Sequence, residues 1–74
     1  MSLADHVASM FPARLQDARM SQGTTQEELA GVTGLQASAI SHFECGRRLP
    51  SVRNLLLLCE ALEVSADWLL GGGA

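Results

Sequence analysis

Seventy-four residues allow one domain and no more, and a chain this short buries only roughly 60–65% of its unfolded surface. A hydrophobic content of 47% supports a real core and excludes a disordered chain, while Trp68, Phe11 and Phe43 as the only aromatic residues make that core aliphatic. Five arginines, no lysine and eight acidic residues give a net charge of −3, the opposite of the usual nucleic-acid domain, and the length leaves no room for separate cofactor and substrate domains.

Strand signals are nearly absent, because no stretch alternates apolar and polar residues for long. Helix punctuation is frequent instead. Ser2 followed by Asp5 caps a short first turn, with Leu3, Val7 and Met10 on one face. Pro12 then interrupts that turn or starts the next helix, since proline suits only a first turn. From there to Ser21, Leu15 and Ala18 share a face with Phe11, and Gly23 ends the helix in the left-handed cap position. The clearest start is Thr25-Gln26-Glu27-Glu28, a capping box whose carboxylates also suit the first turn of the helix dipole. That helix runs through Leu29, Ala30 and Val32 and stops at Gly34. A third, from about Gln36 to Cys45, buries Leu35, Ile40 and Phe43 and stops at Gly46. Ser51 follows Pro50 and caps a helix ending near Glu63, and Ser65 caps a last short helix with Asp67 in its first turn. The chain reads as all-α. Residues 1–11 form an N-terminal extension with helical character, 12–70 the domain, and 71–74 a flexible glycine-rich tail.

Charge is unevenly spread along these elements. Residues 1–33 set Arg14 and Arg19 against Asp5, Asp17, Glu27 and Glu28, and residues 54–74 carry only Glu60, Glu63 and Asp67. Between them, residues 34–53 hold Arg47, Arg48 and Arg53 against Glu44, a net charge of +2. Cys45 and Cys59 make no disulfide framework and match no zinc spacing. His42 and Cys45 stand three apart and could join Cys59 or His6, but zinc takes four well-placed ligands and no second close pair exists, so no metal and no cofactor are expected. No apolar run approaches the roughly 20 residues of a membrane span. The first residues lack the basic-then-apolar pattern of a secretory signal, so the expected place is a reducing cytoplasm without membrane contact.

One pair of elements carries chemistry. A helix of about eight residues, a turn at Thr33-Gly34-Leu35 and a second helix make the steep crossing of a helix-turn-helix, whose second helix fits a B-DNA major groove. Any small bundle needs tight turns, so spacing alone is a moderate signal. Thr25-Gln26-Glu27-Glu28-Leu29-Ala30, Gly34, Ile40-Ser41, Glu44, Gly46 and Pro50-Ser51 closely resemble the Cro and phage-repressor class, the XRE family. Leu62-Glu63-Val64-Ser65-Ala66-Asp67-Trp68-Leu69-Leu70 is similar to the fifth helix of lambdoid repressor domains. The resemblance runs from about Arg14 to Leu70 and implies a compact five-helix lambda-repressor-like DNA-binding domain.

It also implies roles, position by position. Gln26, opening the second helix, is the expected donor to a DNA phosphate, at a helix end suited to anions. Base readers are expected at Gln36, Ala37, Ser38 and His42, with Ser41 near the backbone. Arg47 and Arg48, with Cys45 before them, match the phosphate contacts that follow the recognition helix, and Arg53 is placed to extend them. The family pattern departs at three of these: Ala37 reduces one reader to an apolar contact, Gln36 caps poorly, and Cys45 replaces a usual cation or amide. Arg19 and Glu44 are expected as a largely buried ion pair rather than as DNA ligands.

Leu55, Leu56, Leu57 and Leu58 cannot all face one core. Leu57, with Trp68 and Leu70, reads as a homodimer interface, and Trp68 has plain core as its rival reading. The functional expectation is therefore a repressor-type regulator. As a dimer it reads a double-stranded operator with residues 36–45, without a small-molecule ligand and without a catalytic constellation. The alternative, favoured by the net charge and Ala37, is a protein-interaction module of the same fold, an antitoxin or adaptor with little sequence-specific DNA binding.

Overall fold

Four of the five helices among the described residues begin on a hydroxyl that accepts the backbone N–H three residues on: Ser2 from Asp5, Thr25 from Glu28, Ser51 from Asn54 and Ser65 from Trp68. These caps open α1 (Leu3–Ser21), α2 (Gln26–Thr33), α4 (Val52–Leu62) and α5 (Ala66–Leu69). The remaining helix, α3 (Ala37–Glu44), starts at Gln36 with no side-chain cap. The structure is a computed structural model describing residues 2–72, and among these residues there is no strand.

Helix α1 differs from the break expected at Pro12. It runs unbroken through the proline for 19 residues. A mid-helix proline removes one i→i−4 hydrogen bond and crowds the carbonyl it faces, so something must hold both sides of it. Packing does so here. Phe11 is fully buried, Val7 lies against the core from the preceding turn, and Leu15 and Ala18 are buried beyond. The Pro12 ring also faces the turn after α3, where a Cβ on Gly46 would lie 3.7 Å from Pro12 Cγ. Burial of the flanking turns outweighs the local preference.

One core gathers the buried stripes of all five helices: Phe11, Leu15 and Ala18 from α1, Leu29 and Ala30 from α2, Ile40 and Phe43 from α3, Leu55, Leu58, Cys59 and Leu62 from α4, and Leu69 from α5. Phe11 and Phe43 meet edge to face, with centroids 6.4 Å apart. Helix α1 packs on α3 and α5, α2 on α3 and α4, and α4 on α5. Val32, in the last turn of α2, is 73% exposed.

The end of the described chain is tied down rather than loose. Arg14 Nη1 donates to the carbonyls of Trp68 (2.6 Å) and Gly72 (3.1 Å), and its guanidinium lies 5.1 Å over the Trp68 ring. His6 Nε2 bonds the Gly71 carbonyl at 2.8 Å. Gly71 holds a φ of +93°, and a Cβ there would sit 2.7 Å from Met10 Cβ. Residues 71 and 72 thus dock on the first half of α1, whereas 73 and 74 of the expected tail lie outside the described residues.

Candidate nucleic-acid interface

The α2–α3 turn is fixed by two devices. Gly34 adopts a φ of +78°, which costs an L-residue steric strain, and its N–H donates back to Ala30. The Thr33 hydroxyl donates to the Leu29 carbonyl and accepts the Leu35 N–H, filling groups that a helix end leaves open. The second helix then leaves at an angle that buries Ile40 and Phe43 completely.

Burying that face decides what α3 presents. Gln36 and Ser38 are exposed, and Ser41 and His42 are half-exposed one turn on. Ala37 is half-buried and packs on the core, so it offers less surface than the expected reader. The Gln36 side chain does not cap; its Oε1 accepts only a long 3.5 Å bond from Ser38 Oγ. Because no side chain covers it, the N-terminal end of α3 stays open to an outside acceptor.

After α3, Cys45 is exposed and Gly46 turns the chain at a φ of +77°. Arg47 and Arg48 follow, both exposed, as is Arg53 at the start of α4. The Arg47 N–H donates to the His42 carbonyl, and the Arg48 guanidinium lies 5.5 Å over the Phe43 ring. These contacts fix the backbone of the loop and one of its two neighbouring cations.

The start of α2 meets the end of α3 through a carboxylate. Glu44 Oε2 accepts Arg19 Nε at 2.7 Å, and its Oε1 accepts both Arg19 Nη2 at 3.0 Å and Gln26 Nε2 at 3.1 Å. Arg19 Nη1 completes the set on the Thr24 carbonyl. Side-chain exposure is 12% for Arg19 and 3% for Glu44, so the pair is largely withdrawn from water. The bond to Glu44 raises the Arg19 pKa above its ordinary value against the opposing effect of burial, and the guanidinium stays charged. Among the described residues this is the one salt bridge, and it turns the acid nearest Arg47 inward.

A family described as helix-turn-helix matches residues 15–69. The chain belongs to the XRE-type helix-turn-helix family. Among similar proteins, the SPbeta prophage-derived HTH-type transcriptional regulator YonR of Bacillus subtilis is 35% identical over 63 residues, covering 85% of this chain and 58% of that protein. The cryptic phage CTXphi transcriptional repressor RstR of Vibrio cholerae is 34% identical over 58 residues, covering 78% and 52%. The chain therefore spans little more than half the length of these relatives. Among solved structures, the P22 c2 repressor in complex with a synthetic operator superposes with a TM-score of 0.82 at 33% identity, covering 86% of this chain and 97% of that one. The restriction-modification controller protein C.AhdI of Aeromonas hydrophila gives 0.78 at 38% identity, covering 89% and 97%.

Within this XRE-type fold, the four leucines of α4 divide unevenly. Leu55 and Leu58 enter the core, Leu57 is half-buried, and Leu56 is the most outward at 52% exposure, with Val52 one turn earlier at 74%. Trp68 and Leu70 are half-buried and pack partly on the core. Sequence reasoning singled out neither Arg14 nor His6 as a fastener, nor the bond from Gln26 to Glu44. Arg14 and His6 find backbone carbonyls more than 50 positions away, which no local pattern announces.

Proposed function

We propose that this chain is a sequence-specific DNA-binding regulator of the repressor type, acting in a bacterial or phage-infected cytoplasm and reading an operator with α3. The observation that carries the reading is the open N-terminus of α3. Every other helix is capped by its own hydroxyl, and this one leaves its first amides, with Gln36 and Ser38, to an external partner. The similarity to a repressor solved with its operator supports the same use.

In this reading Gln36, Ser38 and His42 contact base edges, Ser41 and the small surface of Ala37 lie against them, and Gln26, Arg47 and Arg48 meet phosphates. Two copies associate through the C-terminal half, with Leu57, Trp68 and Leu70 joined by the exposed Leu56. Dimerisation sets two recognition helices about 34 Å apart, in successive major grooves. The reading includes no enzymatic step.

Selection of binding sites from random duplex DNA tests it, with wild type, Gln36→Ala and Arg47→Ala compared at low salt. Recovery of a near-palindrome, with Gln36→Ala relaxing one position and Arg47→Ala weakening all sequences evenly, is the expected result. Enrichment of no sequence would instead favour the interaction module, which the net charge of −3 already recommends.

A further inference from the structure

Gln26 is the first residue of α2, where the helix end suits a phosphate, yet its side-chain amide is already engaged. One of its two N–H groups donates to Glu44 Oε1, leaving the second for an outside acceptor. Glu44 is held in turn by both Arg19 nitrogens, and Arg19 by the Thr24 carbonyl just ahead of the α2 cap. Three helices and the α1–α2 loop therefore converge on one carboxylate beneath the end of α3. The other acids of this turn are Glu28, whose Oε1 accepts the Thr25 N–H, and Glu27, whose charge acts on Arg19.

We propose that Glu44 is a positioning residue for phosphate binding: its carboxylate fixes the Gln26 amide in the orientation that delivers the second N–H to a DNA phosphate. Arg19 neutralises that carboxylate, so a buried negative charge helps the contact rather than repelling the backbone. This rests on the DNA-binding reading above and specifies how one of its contacts is prepared. A glutamine side chain has three rotatable bonds, and fixing them before binding lowers the ordering cost of the contact. The same anchor ties the α2 phosphate site to α3, so phosphate contact and base register move as one body.

The test compares wild type with Gln26→Ala, the pair Arg19→Met/Glu44→Leu, and the triple variant, on a duplex recovered in the selection. The pair removes one charge of each sign and leaves the net charge unaltered, and circular dichroism first establishes that each variant is folded. Gln26→Ala is expected to weaken binding about 5-fold per protomer, as for one hydrogen bond, with the salt slope unchanged because the donor is neutral. The pair should weaken it to within about 2-fold of the same value, and the triple variant no further. In the free protein, the Gln26 side-chain amide resonance should move to an ordinary solvent-exposed position when the pair is replaced.

Wild-type affinity in the pair variant would overturn the proposal while leaving the DNA reading intact. So would a triple variant that loses the full Gln26→Ala factor again, because Gln26 would then act without Glu44. A Gln26 resonance unmoved by the pair replacement would overturn it also. A wild-type chain that binds no duplex overturns both readings, and wild type alone reveals it.

Discussion

At Gln36 a local rule is broken where an external partner would make use of it. A serine or aspartate at a helix start is worth about 1 kcal/mol over a poor cap, so Gln36→Asp should raise stability by about that amount. The same change puts a carboxylate at the open end of α3 and should lower DNA affinity at least 10-fold. Chemical denaturation and duplex titration on one preparation check both signs. Gly34 gives a contrasting case, because a Cβ there meets nothing within 4 Å. Gly34→Ala should therefore cost only the left-handed backbone penalty, about 1–2 kcal/mol by denaturant midpoint. Arg19→Met alone leaves Glu44 buried and unpaired, and should cost about 3–5 kcal/mol; the pair Arg19→Met/Glu44→Leu should fall far below that.

Among elements, α5 is the least able to stand alone, since four residues are far below the length at which a helix holds itself. It is held by Leu69 in the core and by Arg14, which reaches from mid-α1 to the Trp68 and Gly72 carbonyls and covers the indole ring. Arg14→Ala should cost about 1–2 kcal/mol and loosen Trp68, read as a lowered thermal midpoint and a red-shifted tryptophan emission in the folded state. Gly71→Ala should loosen the same end, through its φ and its approach to Met10. Helix α1 is the other long-range case. Its first turns are legible from Ser2 and Asp5, but their continuity through Pro12 depends on Phe11, Val7 and the Gly46 turn closing around the proline.

For the whole molecule, charge placement matters more than charge total. The chain is acidic, but Glu44 is paired inward while Arg47, Arg48 and Arg53 face water. A dimer that sets Arg47, Arg48 and Arg53 of each protomer on phosphates should give a log–log salt slope of about −5 in duplex binding, Gln26 being neutral and adding nothing to it. The cysteines divide by burial. Cys45 is exposed, whereas burial pushes the Cys59 thiol above its ordinary pKa. The unfolded chain releases the Cys59 proton above about pH 8.5 and the folded chain only at higher pH. The stabilising contribution of the neutral thiol is thus complete below that pH and lost as pH rises through the folded value. Stability measured from pH 7 to 10 should fall less steeply in Cys59→Ala than in wild type.

The sequence by itself determined the capped helix starts, the turn glycines and the main buried residues of α1 and α3, because hydroxyl caps, left-handed glycines and a 3.6-residue apolar period act within a few residues. Thr25, Ser51 and Ser65 cap where they were expected to, and Ile40 and Phe43 bury the predicted face of α3. From those elements and the quoted motifs, the family was legible too. Tertiary structure alone decided that α1 passes through Pro12, that Ala37 leans on the core, that Leu56 is the outermost leucine, and that Gln26 is shared with Glu44. It also decided that Arg14 and His6 fasten residues 71 and 72. Each of these depends on which distant surface arrives to bury a side chain or accept its hydrogen bond, and that information lies in no short stretch of the chain.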